Sequence, residues 1–132
     1  MEKISIITIC YNSERTISQT LNSINNQKYK NYEHIIIDGG SSDNTLNIVN
    51  KANISNKIIS ENDKGIYDAF NKGIMNSNGE IIGFLNADDT FHNNDSLSKI
   101  IEAFEKNTEC VFGDLIYTNF QDKIKRTWKG SP

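Results

Sequence analysis

Short apolar runs alternate along this sequence with segments whose apolar residues recur at helical spacing, and this alternation restricts the fold more than any other feature. The first run, ISIITI at residues 4–9, is rich in β-branched side chains and apolar on both faces, which is typical of a central parallel strand. In the segment that follows, Ile17, Leu21 and Ile24 recur at helical spacing. The chain therefore begins with a strand, a loop and a helix.

The same unit recurs further along the chain. Strands are predicted for YEHIIID at 32–38, NKIIS at 56–60 and GEIIGFL at 79–85, and a helical pattern follows each of them. One or two more strands are predicted within residues 109–119. Strands that alternate with helices form a parallel sheet joined by right-handed crossovers, with helices on both faces. The sequence therefore predicts a doubly wound, mainly parallel α/β fold.

Length and composition restrict the class of protein. With 132 residues, 36% of them hydrophobic, the chain can bury one core, so a single domain over residues 1–132 is predicted. A formal net charge of −3 provides no basic face for a nucleic-acid backbone. No apolar stretch is long enough for a signal peptide or a membrane span, which favours a cytoplasmic location. Cys10 and Cys110 are interpreted as reduced, buried thiols.

Polar residues follow the predicted strands directly. In doubly wound sheets, ligands bind beyond the carboxyl ends of the strands, near the point where the strand order reverses. Four polar segments would share this edge, namely residues 8–12, 38–43, 61–64 and 86–89. Independent surface turns would not need to coincide in this way, so a single groove is predicted.

Two adjacent carboxylates, Asp88 and Asp89, lie just after the fourth predicted strand. Adjacent acids repel each other unless a cation or several donors compensate. Carboxylate oxygens are the ligands that Mg²⁺ or Mn²⁺ prefers, and such an ion can bridge diphosphate oxygens. The pair is therefore a candidate metal site, with a solvated turn over residues 86–90 as the alternative.

Three more side chains at this edge suit a nucleotide. Asp38 could accept a hydrogen bond from a base or a ribose hydroxyl, Tyr11 could stack on a base, and Lys64 could meet a phosphate. Each has a plainer interpretation that the sequence leaves open. Asp38 could cap the next turn, Tyr11 could pack on a helix, and Lys64 could be solvated.

The segments ISIITICYNSERTISQTLNSINNQKYKNYEHIIIDGGSSDNT, ENDKGIYDAFNKGI and GFLNADD occur in this order. Together they resemble the N-terminal part of family 2 glycosyltransferases of the Rossmann-like GT-A fold, in the branch that makes bacterial surface polysaccharides. The resemblance covers about residues 3–114. It implies an inverting transfer from a nucleotide-diphospho-sugar, with UDP favoured, to a glycan or lipid-linked acceptor. A divalent metal, Mn²⁺ or Mg²⁺, and peripheral association with the inner face of the cell membrane are also implied.

The resemblance assigns roles to individual residues. Asp88 and Asp89 are the implied metal ligands, and Asn86 stands where many relatives have Asp, so a ribose contact is expected of it. The implied nucleotide-binding residues are Thr8, Cys10, Tyr11, Asn12, Glu14, Asp38, Asp63, Lys64, Asn71, Asn86, Ala87 and Asp88.

Relatives of this kind are longer, and their general base lies downstream with the acceptor-binding elements. The chain is therefore expected to be the nucleotide-sugar-binding portion, cut before the acceptor-binding part, with Asp114 as a weak candidate base after the fifth strand. A nucleotide-sugar-binding module without turnover is the alternative. A flavodoxin-like or receiver-type domain shares the architecture but requires no groove lined by Tyr11, Asp38 and Asp88.

Overall fold

The computed structural model describes residues 1–55 and 57–130 and confirms the alternation of strands and helices. Asn56, the first residue of the predicted third strand, lies outside the described residues. In chain order the elements are β1 (Ile4–Cys10), α1 (Ile17–Asn25), β2 (Tyr32–Asp38), α2 (Thr45–Ala52), β3 (Lys57–Ser60), α3 (Ile66–Met75), β4 (Ile81–Phe84), α4 (Ser96–Ala103), β5 (Leu115–Thr118) and β6 (Ile124–Trp128).

The first four strands form one parallel sheet in the order β3-β2-β1-β4. The chain moves outward from β1 to β3 and then returns to the other side of β1 with β4. The strand order therefore reverses between β1 and β4, which is where a ligand is expected in such a sheet.

Helices cover both faces of this sheet. On one face α1 and α2 pack on a cluster formed by Cys10, Ile17, Leu21, Ile36, Val49 and Ala87. On the other face α3 supplies Ala69 to a cluster with Ile7, Ile35 and Ile37. Neighbouring positions of β2 thus face opposite helical layers, as the period of a strand requires. The predicted doubly wound α/β architecture is confirmed.

The chain divides into two compact units, Met1–Ser98 and Lys99–Pro132. The first contains the parallel sheet, and the second contains an antiparallel pair of β5 and β6 with a bulge near Tyr117. Only β5 lies within the segment predicted to hold one or two strands. The second strand, β6, comes later and pairs with β5. The register of this pair could not be predicted from the sequence, because every residue of both strands is exposed and no buried face marks the period.

Both cysteines are free thiols; Cys10 is buried, as predicted, but the prediction that Cys110 is buried is wrong. Cys110 is exposed and lies in an irregular segment between α4 and β5.

Gly73 on α3 packs directly against β1. A Cβ at this position would overlap Cγ2 of Ile7, a core side chain whose branched Cβ cannot turn away. Helix α3 can therefore approach the sheet only because residue 73 has no side chain.

We predict that Gly73→Ala destabilises the protein by about 1–2 kcal/mol, since overpacking outweighs the helix propensity that alanine gains. Urea denaturation measures the change. Gly83→Ala is the matched control, because a Cβ at Gly83 in β4 meets no atom within 4 Å. Equal stability of the Gly73 variant and the unmodified chain would contradict the close approach.

His34 in β2 is fully buried, and its Nε2 lies 2.9 Å from the hydroxyl of Thr8. Burial lowers the pKa of His34 from 6.5 to about 4. The folded chain therefore favours the neutral ring, and the unfolded chain binds a proton first as the pH falls. The stability that His34 contributes is complete above pH 6.5 and is lost towards pH 4.

We predict that the free energy of unfolding falls by about 2–3 kcal/mol between pH 7 and pH 4.5 through His34. His34→Gln should show a smaller fall in that interval, whereas His92→Asn, at an exposed histidine, should keep it. NMR titration of the imidazole gives a second measurement that does not depend on a variant. A His34 pKa near its ordinary value would refute the prediction.

Candidate functional site

The carboxyl ends of β1, β2 and β4 meet at one edge of the sheet. Beyond the regular ladder, the N–H of Gly39 donates to the carbonyl of Cys10 (3.0 Å), and that of Ala87 donates to the carbonyl of Ile9 (3.2 Å). Backbone pairing thus continues from β2 and β4 onto the end of β1. The segments predicted to share an edge are held together there by main-chain hydrogen bonds.

Asp38, the last residue of β2, is the centre of this edge. It is fully buried, and its Oδ2 accepts hydrogen bonds from the N–H groups of Gly40 (3.1 Å) and Ser41 (3.0 Å) and the hydroxyl of Ser60 (2.7 Å). Its Oδ1 accepts from the Ser41 hydroxyl and faces the Cys10 thiol at 3.6 Å. Burial alone would raise the pKa of Asp38, but these hydrogen bonds outweigh it and hold the pKa below its ordinary value.

The capping interpretation of Asp38 is therefore what the geometry shows. Its carboxylate ties the end of β2 to the following turn and to β3, and none of its surface is exposed. Direct hydrogen bonding to a base stays a prediction. A base contact would require the carboxylate to give up one of these internal donors.

Three other predicted nucleotide residues are also buried. The hydroxyl of Thr8 bonds His34, and Ala87 packs in the core beneath α1. Burial, followed by the charge of Asp38, raises the pKa of the Cys10 thiol to about 12. These three side chains lie beneath the surface at this edge of the sheet, and nucleotide contacts of Thr8, Cys10 and Ala87 stay predictions.

Asn12 joins the loop after β1 to the loop after β2. Its φ of 47° lies in the left-handed region, which asparagine adopts more readily than most residues. Its N–H donates to the hydroxyl of Ser41 (2.8 Å), and its Oδ1 accepts from the N–H groups of Ser42 (2.9 Å) and Asp43 (3.3 Å). The two loops are therefore one hydrogen-bonded unit.

Glu14 lies in the loop before α1, which begins at Ile17, and its side chain contacts the start of α2. Its Oε2 accepts from the N–H of Asn44 at the start of α2 (2.9 Å), while its own N–H donates to Oδ2 of Asp43 (3.2 Å). An acid at a helix N-terminus is favoured by the helix dipole. A nucleotide contact of Glu14 stays a prediction.

Tyr11 and Asp63 approach each other across Gly39. A Cβ on Gly39 would lie 2.7 Å from Oδ2 of Asp63 and 3.6 Å from Cδ2 of Tyr11. Tyr11 is 64% exposed, so its ring is available for stacking at the surface. A side chain at residue 39 would first displace the Asp63 carboxylate, so glycine lets this carboxylate lie close to the backbone beside Tyr11.

Helix α3 holds the loop that carries Lys64. Lys72 forms ion pairs with Glu61 (3.1 Å) and Asp68 (3.2 Å), and Oδ2 of Asp68 accepts from the N–H of Lys64 (2.9 Å). The side chains of Lys64 and of Asn71 on α3 are exposed. Within the described residues, no hydrogen bond or ion pair links either of them with Asp88 or Asp89.

The acidic segment forms a tight turn at the end of β4. The N–H of Asp89 donates to the carbonyl of Asn86 (3.0 Å), and both Asp88 and Asp89 are exposed. Desolvation, followed by the charge of Asp88, raises the pKa of Asp89. The structure therefore contains the repulsion that the sequence predicted, and within the described residues neither Asp88 nor Asp89 forms an ion pair with a lysine, arginine or histidine side chain.

The side-chain oxygen of Asn86 is a buried hydrogen-bond acceptor. This atom, Oδ1, has no hydrogen-bond partner among the described residues. A buried oxygen without a partner costs about 1–3 kcal/mol, and a donor from a bound molecule or from water would offset this cost. In the described chain no three His, Cys, Asp or Glu side chains gather into a group that could hold a metal ion.

Sequence reasoning missed two residues that support the site. Ser60 donates to Asp38, and Thr20 on α1 donates from its hydroxyl to the carbonyl of Asp89 (2.8 Å). The available signal for Thr20 was a polar residue at a helix position between Ile17, Leu21 and Ile24, which face the core.

The sequence placed Asp114 after the fifth strand, and this placement is wrong. Asp114 precedes β5, and its Oδ1 accepts a hydrogen bond from the N–H of Gly130 (3.0 Å). The apolar residues before it, which suggested a strand, form no ladder. Asp114 belongs to the second compact unit.

Comparisons with known proteins decide the family. The family described as "Glycosyl transferase family 2" matches residues 5–130. The chain belongs to glycosyl transferase family 2.

Related glycosyltransferases align with most of the length of this chain. A PGL/p-HBAD biosynthesis glycosyltransferase of Mycobacterium bovis (strain BCG / Pasteur 1173P2) is 34% identical over 125 residues, which is 89% of this chain and 49% of that protein. An uncharacterized glycosyltransferase of Nostoc sp. is 35% identical over 129 residues, covering 95% of this chain and 39% of that protein. The chain thus spans half or less of the length of these relatives.

Solved structures confirm the GT-A fold of this family 2 chain. S. aureus TarS in complex with UDP-GlcNAc superposes with a TM-score of 0.69 at 32% identity, covering 76% of this chain and 30% of that one. The mannosyltransferase of Pyrobaculum calidifontis, in complex with GDP-Man and Mn²⁺, gives a TM-score of 0.77 at 22% identity, over 92% of this chain and 37% of that one. No helix in the described part of the chain has the length and apolar character to cross a bilayer.

We predict that Asp38→Asn destabilises this family 2 chain by about 1–3 kcal/mol, because an amide cannot accept all the hydrogen bonds of the buried carboxylate. UDP should also bind more weakly without metal, since the loops at the sheet edge lose their anchor. Chemical denaturation and calorimetry measure the two effects. Asp122→Asn, in an exposed turn, is the control.

Because hydrogen bonds hold the Asp38 pKa below 3.8, its contribution to stability is present above that pH. It is lost as the pH falls through the lowered value. An Asp38→Asn variant as stable as the unmodified chain would contradict the anchoring role.

Proposed function

We propose that this chain binds a nucleotide-diphospho-sugar, with UDP as the favoured nucleotide, and forms the donor site of an inverting glycosyltransferase. The observation that carries the proposal is the buried, unpartnered Oδ1 of Asn86 beside Asp88 and Asp89, at the point where the strand order reverses. A sugar-nucleotide donor supplies the hydroxyl donors and phosphate oxygens that this arrangement lacks.

The complexes of related structures support this class of donor. TarS is seen with UDP-GlcNAc, in a structure at 32% identity, and with UDP, in a structure at 31% identity. The more distant mannosyltransferase is seen with GDP-Man and Mn²⁺. UDP is favoured for this chain because the complex with the higher sequence identity holds a uridine nucleotide.

The residues present fit a divalent cation. Asp88 and Asp89 are exposed carboxylates at a strand end, and hard oxygen ligands suit Mn²⁺ or Mg²⁺. When bound, such an ion neutralises negative charge on the departing diphosphate. Two carboxylates leave room for phosphate oxygens and water to complete the coordination shell.

The other residues of the edge bind and orient the nucleotide in this proposal. Tyr11 presents an exposed ring for stacking on the base, and Asn86 offers its amide to a ribose hydroxyl. Lys64 supplies a mobile positive charge for phosphate. Asn12 and Asp38 act indirectly, because they hold the loops on which these groups lie.

The proposed reaction is a single displacement at the anomeric carbon. The bond from that carbon to the diphosphate oxygen breaks as a bond to the acceptor hydroxyl oxygen forms, and the hydroxyl proton passes to a general base. The proposed acceptor is a glycan or a lipid-linked sugar, as in the synthesis of bacterial surface polysaccharide. A cytoplasmic location, with peripheral association at the inner face of the membrane, is part of the proposal.

A donor-binding module without transfer is the second candidate. It is favoured by Asp114, the candidate base, whose Oδ1 already accepts a hydrogen bond from the N–H of Gly130 within its own compact unit. The two candidates differ in acceptor-dependent release of UDP from a UDP-sugar. A general base typically contributes about 10²–10⁴-fold, so the module should show residual hydrolysis at most.

We predict that UDP raises the melting temperature of the chain and that Mn²⁺ increases this shift, because a ligand that binds only the folded state stabilises it. A panel of UDP, GDP, dTDP and CDP, each with and without Mn²⁺, tests the base and the metal together. Asp89→Ala should remove mainly the metal-dependent increment, and Asn86→Ala should weaken UDP with or without metal.

The matched control for these variants is Asp95→Ala, an acidic residue that pairs with Lys28 outside the proposed groove. If no nucleoside diphosphate shifts the melting temperature at about millimolar concentration, the donor-site proposal is wrong. Equal losses in the Asp89 and Asn86 variants under all conditions would reject the separate roles.

A further inference from the structure

Three polar side chains, Thr20, Ser23 and Gln27, lie along α1 and its C-terminal end, and we call them the α1 polar stripe. Thr20 and Gln27 are fully buried, and Ser23 is half-buried. Spacings of three and four residues place them on one side of the helix. Burying polar groups is unfavourable unless hydrogen bonds compensate, so their partners show what the stripe does.

Every member of the stripe forms a hydrogen bond with the backbone of residues 89–97, a segment that begins at Asp89. The partners, in chain order, are the carbonyl of Asp89 for the Thr20 hydroxyl (2.8 Å), the N–H of Phe91 for the Ser23 hydroxyl (3.3 Å), the carbonyl of Asn93 for Nε2 of Gln27 (2.7 Å) and the N–H of Leu97 for Oε1 of Gln27 (3.0 Å). Residues 89–95 have no ladder of their own, and the N–H of Leu97 lies in the first turn of α4, where no partner exists within the helix. The stripe therefore satisfies these groups.

The contact of Thr20 differs from the others because it is made to the acidic pair itself. The carbonyl of Asp89 belongs to the same residue as one of the two carboxylates, and the N–H of Asp89 closes the turn onto Asn86 (3.0 Å). With both backbone groups of Asp89 bonded, the direction in which its side chain leaves the backbone is restricted. The Ser23 and Gln27 contacts lie further along and hold the segment as a whole.

We propose that Thr20 is a positioning residue for the cation site: its hydroxyl holds the peptide of Asp89 and so preorganises the two carboxylates. The inference rests on the proposed function and extends it to a residue outside the groove. Because Ser23 and Gln27 anchor the rest of the segment, loss of the Thr20 hydroxyl should affect the cation more than the fold. A role in packing alone would instead depend on the methyl group of Thr20.

Two substitutions separate the hydroxyl from the methyl group. Thr20→Val keeps the branched shape and removes the hydroxyl, whereas Thr20→Ser keeps the hydroxyl and removes the methyl. Mn²⁺ is titrated into the full chain with UDP present, and the free ion is followed by electron paramagnetic resonance. Thr20→Val should bind Mn²⁺ about 3- to 10-fold more weakly, which corresponds to one hydrogen bond, and Thr20→Ser should stay within about twofold of the unmodified chain.

UDP affinity without metal and urea stability are measured for the same proteins. UDP affinity without metal should change less than about twofold in Thr20→Val, because the expected loss is confined to one hydrogen bond at the acidic turn. Ser18→Ala removes a hydroxyl from the exposed side of the same helix and should leave Mn²⁺ binding unchanged. If Thr20→Val does not fold, Thr20→Ala removes the same hydroxyl and carries the same expectation.

Equal Mn²⁺ affinity in Thr20→Val and the unmodified chain would overturn the inference, as would a loss in Thr20→Ser that matches the loss in Thr20→Val. Failure of the proposed function is recognised separately. In that case the unmodified chain itself would bind no UDP or no Mn²⁺, and the inference would fall with it.

Discussion

The buried carboxylate of Asp38 is the interaction on which the edge of the sheet depends. It lies at the end of β2 and accepts hydrogen bonds from the next turn and from Ser60 at the end of β3. A charge in this position is stable only because so many donors converge on it. The exposed groups at the same edge, above all Tyr11, can therefore occupy defined positions although they lie on loops.

The remaining parts of the site follow from the order of the strands. Since β1 lies between β2 and β4, its end receives backbone hydrogen bonds from both neighbours, and the acidic pair emerges beside the loop of Tyr11 and Asn12. Parallel strands all present the same end, so one set of loops can combine groups that are far apart in sequence. A few residues set the backbone conformation of these loops, and Asn12, with its positive φ, is one of them.

The sequence predicted the order of elements well, because a period of 2 or 3.6 residues records which face of a segment is buried. It also predicted which segments share an edge. It could not assign Asp38 between a cap and a base ligand, since that choice depends on burial and on Ser60, which is distant in sequence. Thr20 was missed for the same reason, and the placement of Asp114 was wrong because an apolar run does not show whether it finds a partner strand.

The conformation of the acidic motif depends on two segments of the chain, because the α1 polar stripe binds its backbone. Thr20 and Asp89 are 69 positions apart in sequence. A short motif of this kind is often treated as a portable unit in protein engineering. Here, grafting residues 86–97 into another scaffold would transfer the carboxylates without the helix that holds their backbone. A functional transplant, or a sequence search that aims to recognise working copies of this site, therefore has to include the polar side of the first helix.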